Sequence, residues 1–84
     1  MPTISSFYGI TIIMWLREKE HNPPHIHAQL DGNTVPVSIE TGEIMKGTFP
    51  PKAREMVKEF VLLHKEELLE MWETGKYKKL EPLK

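Results

Sequence analysis

The 84-residue chain contains no cysteine, so disulfides and thiolate metal sites are both excluded, and any metal would have to rest on His, Asp or Glu. That composition suits a reducing cytosol. Charge of one sign is lacking too: 11 Lys and Arg stand against 12 Asp and Glu, for a net charge of −1. Near-neutrality does not support a broad electrostatic grip on nucleic acid, and Arg17 and Arg54, the only arginines, form no cluster for phosphate. The longest apolar run, Ile12 to Leu16, is far too short to span a bilayer. The N-terminus has neither the charged start nor the apolar stretch of a signal peptide. We therefore expect one small cytoplasmic domain over residues 1–84, with no membrane segment and a core near the lower limit of what folds unstapled.

Phe7 to Leu16 is dense in β-branched and aromatic residues and predicts a first strand, with Ile10, Ile12, Met14 and Leu16 on one face. Gly9 marks a bend or bulge within it. From His25 the pattern alternates, with Ile26, Ala28 and Leu30 inward and His25, His27 and Gln29 outward. Asp31-Gly32-Asn33 is a turn signal, and Val35, Val37 and Ile39 resume the alternation, which makes a hairpin. A turn at Gly32-Asn33 sets His25 opposite Glu40 and His27 opposite Ser38. A turn at Asp31-Gly32 keeps the same faces but loses the pairing of His25 with Glu40. Pro36 speaks against a central strand, since proline removes a ladder donor.

Thr41-Gly42-Glu43 predicts a second turn with Gly42 left-handed, followed by a fourth strand from Ile44 to Phe49 with Met45, Gly47 and Phe49 inward. Pro50-Pro51 ends it and opens a helix. From Lys52 to about Thr74 the period is helical, with an apolar stripe through Ala53, Val57, Phe60, Val61, His64, Leu68, Met71 and Trp72. Gly75 is the expected stop, and residues 76–84 read as a basic tail without a core pattern. The architecture expected is α+β, a four-stranded antiparallel meander (residues 1–49) with one long C-terminal helix (50–75) packed on one face, in the order ββββα.

Three of the four histidines fall in Glu20-His21-Asn22-Pro23-Pro24-His25-Ile26-His27. Strand alternation projects His25 and His27 from the same face, and neutral imidazole is the commonest metal ligand. With Glu40 across the hairpin, or His21 swinging back from the loop, they make a candidate three-ligand site for zinc or nickel. Without a metal, a histidine general base oriented by Glu40 or Glu20 would suit RNA cleavage. The bland reading is a set of histidines hydrogen-bonding along a solvated sheet face. His64 lies on the helix's apolar stripe, where a lone histidine is more often a satisfied core residue than a ligand.

The opening Met1-Pro2-Thr3-Ile4-Ser5, the Phe7-Tyr8-Gly9-Ile10 step, the run Glu20 to Ala28, Ile39-Glu40-Thr41-Gly42-Glu43-Ile44, and His64-Lys65-Glu66-Glu67-Leu68-Leu69 with Trp72 resemble a bacterial domain-of-unknown-function family, number 4160. The resemblance runs nearly end to end. It implies a small stand-alone cytoplasmic protein of a toxin–antitoxin-type gene pair, and it assigns no catalytic residue. The His-Ile-His step is also similar to the histidine-hydrophobic-histidine motif of single-strand DNA endonucleases. Tyr8 and Tyr77 are the only candidate nucleophiles for such chemistry, and the chain is short and weakly basic for it.

About 23 helical residues at 1.5 Å each reach roughly 35 Å, whereas a six-residue strand covers about 20 Å. Either the helix breaks near His64-Lys65 and folds back, or its distal half packs on another chain. We expect the second, a homodimer or a small protein partner encoded nearby, with Leu68, Met71 and Trp72 in the interface and Trp72 as anchor. Two function classes follow: an interaction protein of a toxin–antitoxin-type pair, or a small His-dependent hydrolase or nuclease.

Overall fold

The structure, a computed structural model, describes residues 3–14 and 23–83. Four strands, β1 (Thr3–Phe7), β2 (Ile10–Ile13), β3 (His25–Leu30) and β4 (Asn33–Ser38), form one antiparallel sheet in the order β1-β2-β3-β4. Two helices follow, α1 (Pro51–Leu63) and α2 (Lys65–Thr74). Both hairpins turn on two residues with positive φ, Tyr8 (51°) with Gly9 (79°) and Asp31 (52°) with Gly32 (81°). Two successive residues with positive φ give a turn whose twist matches that of the flanking strands, and Asp-Gly is a favoured pair for it.

Four strands are present, but not the four expected. The stretch read as one strand from Phe7 is a hairpin from Phe7 to Ile13, because Tyr8-Gly9 turns the chain rather than bending it and Phe7 pairs back with Ile10. The polar opening Thr3-Ile4-Ser5-Ser6 is itself β1, with a bulge between Thr3 and Ser5. Trp15 and Leu16, the end of the expected strand, lie outside the described residues.

The expected strand from Ile44 to Phe49 does not form. Gly47 takes φ 88° and breaks the extended backbone, leaving one isolated bridge between Ile44 and Val37. The inward assignment of Met45 is reversed, since Met45 is exposed while Ile44 packs against the core. This segment still shields the outer edge of β4: the Ser38 amide donates to Glu43 O (2.9 Å) and the Met45 amide to Pro36 O (2.8 Å). Positions 36 and 38 therefore turn their backbone away from β3. Pro36 sits on an edge strand where its missing N–H removes no bond of the β3–β4 ladder.

Ile10, Ile12, Ile26, Ala28, Val35 and Val37 are fully or almost fully buried, and one core joins them to Ala53, Val57, Phe60 and Val61 of α1. Phe60 lies at its centre, its ring 5.0 Å from that of Phe7 and 4.8 Å from that of His64. Such ring pairs add about 0.5–1.5 kcal/mol each beyond the area they bury. Pro51 opens α1 without needing an N–H there, and Gly75 closes α2 in the left-handed conformation, both as the sequence predicts.

The single long helix is corrected to two. His64, at φ −109° and ψ 22°, interrupts it between Leu63 and Lys65. The break returns Leu68, Met71 and Trp72 to the chain's own core, where all three are buried. Their expected place in an interface with a partner is thereby corrected too, because the apolar stripe that outran the sheet is covered from within. The tail is likewise less open than expected. Leu80 is buried in the core, and its amide donates to Ile4 O of β1 at 2.9 Å.

Candidate functional site

The histidine cluster begins where two prolines deliver the chain into β3. Pro24 O accepts the Ile39 amide at 3.1 Å, which ties the entry of β3 to the segment after β4. Pro23 O lies 2.9 Å from His25 Nδ1. A carbonyl can only accept, so His25 Nδ1 is the donor of this bond. His25 and His27 do share one face, with ring centroids 5.3 Å apart in an edge-on arrangement.

That face is not solvated as expected. His25 is only 7% exposed, and the ring of Trp72, itself 4% exposed, lies 5.2 Å from it. His27 is half-buried with a buried Nδ1. The turn at Asp31-Gly32 pairs His25 with Ser38 and His27 with Pro36, so the cross-strand pairing of His25 with Glu40 is not made. Asp31 takes the left-handed conformation that the first position of this turn requires. Glu40 is exposed beyond the end of β4. Among the described residues no group of three or more His, Asp or Glu side chains is placed to hold a metal ion. His21 and Glu20 lie outside the described residues.

Sequence reasoning treated Trp72 as core or interface and so missed its contact with His25. Its position on the apolar stripe marks it as buried, but the contact depends on the bend at His64, which periodicity does not encode. Tyr8 stands 62% exposed at its turn, whereas the Tyr77 hydroxyl is buried, and burial pushes its phenol above the ordinary range.

His64 behaves as a structural residue. Its Nδ1 faces Glu67 Oε1 and its Nε2 faces Glu81 O, each at 3.0 Å. Glu67 Oε2 also meets Lys78 Nζ at 3.0 Å. The hydrogen bond from His64, then that from Lys78, holds the Glu67 carboxyl below the usual carboxylate range, and the same carboxylate raises Lys78. The node ties the start of α2 to the tail.

On the opposite account stand the side chains the fold leaves out. Leu62 and Leu63, at the end of α1, are 47% and 66% exposed, and among the described residues they are the only exposed leucines. Among the described residues no helix is long and apolar enough to cross a membrane.

No curated protein and no solved structure matches the chain. One family model does match, that described as a domain of unknown function (DUF4160), over residues 9–73. The matched stretch runs from the turn at Gly9 to the last turn of α2 and contains the histidine pair, Trp72, the His64 break and the exposed leucines, while β1 and the docked tail fall outside it. That span is well over half of the 84 residues, and the chain belongs to the DUF4160 family.

Proposed function

We propose that this protein is an interaction protein, one member of a toxin–antitoxin-type pair, working in the cytoplasm against a small protein encoded nearby. The observation that carries this reading is the set of large apolar side chains left in solvent by an otherwise well-buried core: Tyr8, Met45, Leu62 and Leu63. A chain this small has little apolar surface to spare, and Leu62 and Leu63, 47% and 66% exposed, each forgo part of the roughly 1.5–3 kcal/mol that full burial of a leucine provides. The two adjacent leucines, Leu62 and Leu63, suit a surface that is covered by a partner. The test is growth. Expression of this chain and of the product of the adjacent reading frame, singly and together, should show one of the two arresting growth and the other relieving it. Unaffected growth in all three strains removes the reading.

A second reading is favoured by one specific bond. The Pro23 carbonyl accepts from His25 Nδ1 and so orients the ring, as the partner of a histidine general base does. Under this reading the protein is a small metal-free hydrolase or nuclease, with His27 beside the base. Incubation of structured and unstructured RNA with the wild type and with His25→Ala separates the two classes. Cleavage lost in the variant would favour the enzyme; no cleavage by the wild type would leave the interaction reading alone.

A further inference from the structure

The outward side of the two helices combines the exposed leucines with a run of carboxylates. Glu55 and Glu59 precede Leu62 and Leu63 at helical spacing on α1, and Glu66 and Glu70 continue the line on α2. Three shallow depressions run end to end along this side, the first sharing Leu62 and Leu63 with the second, and the second sharing Glu66 and Glu67 with the third. All four named glutamates are exposed. Among the described residues, Lys58 and Lys65 line the first and second depressions and Lys78 meets Glu67 at 3.0 Å, three lysines against the six glutamates that line the three depressions, so the face stays acidic.

From this face we infer a docking surface for a basic amphipathic segment, most simply a helix, of a partner protein, with Leu62 and Leu63 as the apolar centre and the glutamates as its charged rim. The inference rests on the interaction reading above and specifies where and with what chemistry the partner binds. Charge decides the occupant. A second copy of this chain, packed two-fold on the same face, would set glutamates against glutamates, because an isologous contact brings the same patch together twice. A segment carrying Lys or Arg on either side of an apolar stripe meets the leucines with its stripe and the carboxylates with its flanks. Interfaces of this kind place apolar anchors centrally with a polar rim around them.

The test uses the whole protein and two synthetic helical peptides, one built of leucine, alanine and lysine and one with every lysine replaced by glutamate. Amide chemical-shift mapping locates the contact, and fluorescence anisotropy measures affinity. The lysine peptide should shift amides around Leu62, Leu63, Glu66 and Glu70, bind more weakly as salt rises, and bind at least tenfold more tightly than the glutamate peptide. Leu62→Ser with Leu63→Ser should weaken binding at least tenfold without changing the far-ultraviolet spectrum, both leucines being exposed already. Glu59→Gln with Glu66→Gln should flatten the salt dependence, which separates a built surface from apolar adhesion. Shifts elsewhere, equal affinity for both peptides, or indifference to the leucine variant would overturn the inference. If the adjacent-frame protein binds but its contact maps to Tyr8 or Met45, the interaction reading stands and this face is the wrong one. If that protein does not bind at all, the interaction reading itself falls.

Discussion

Replacing Trp72 by alanine removes the largest side chain of α2 from a position that is 4% exposed and that faces the His25 ring at 5.2 Å. Truncations of a buried tryptophan of this kind cost about 3–5 kcal/mol, the lost transfer energy adding to the cavity left behind. The 84 residues set the scale for that loss. At roughly 0.05–0.15 kcal/mol per residue the whole domain is stable by about 4–13 kcal/mol, so the variant should lose roughly a quarter of its stability or more. Urea unfolding followed by circular dichroism measures this directly, at two protein concentrations tenfold apart. Trp72→Phe, which keeps a ring against His25, should cost only about 0.5–3 kcal/mol and provides a folded reference if the alanine variant does not fold. Both midpoints should be independent of concentration, because the burial is within one chain. A loss below about 1 kcal/mol for Trp72→Ala, or a wild-type midpoint that rises with concentration, would refute intramolecular burial and restore Trp72 to an interface.

Two further outcomes follow from particular contacts. A Cβ added at Gly42 would lie 3.0 Å from Lys58 Cγ and 3.2 Å from the Lys58 backbone, at φ 76°, whereas one at Gly32 would meet nothing within 4 Å. Gly42→Ala should therefore cost clearly more than the roughly 1 kcal/mol strain expected of Gly32→Ala, as read by thermal unfolding of both. The Glu67 carboxylate has a folded-state pKa below its unfolded value, so its contribution is present above the ordinary carboxylate range and is lost as pH falls through the folded value. Lys78, raised by the same contact, contributes below its unfolded value and loses that contribution as pH rises through the folded one. Glu67→Gln should flatten both flanks of a stability–pH curve; a curve superimposable on the wild type would remove the node's role in tying down the tail.

What the sequence made legible was periodicity, and what it hid was the direction of turns. The alternation of Ile26, Ala28, Val35 and Val37 assigns their face without a structure, and the placement of Pro51 and Gly75 marks the helical region. Tyr8-Gly9 was opaque because a tyrosine is a rare occupant of positive φ, so a reversing turn reads locally as a bend within one strand. The two possible turns around Gly32 bury the same residues, so hydrophobic pattern cannot choose between them, yet only one pairs His25 with Glu40. The kink at His64 leaves no breaker in the sequence. His64 there meets Glu67, three residues on, and the Glu81 carbonyl of the tail, partners that periodicity does not register. The candidate site was therefore legible as a histidine pair on one face, but its burial under Trp72 was not.

The most direct test of the interaction reading is the mass of the purified protein mixed with the product of the adjacent reading frame, measured by light scattering during size-exclusion chromatography. The account predicts a discrete complex that contains both chains and is lost on Leu62→Ser with Leu63→Ser. Two separate species at micromolar concentration, each at its own mass, would contradict it.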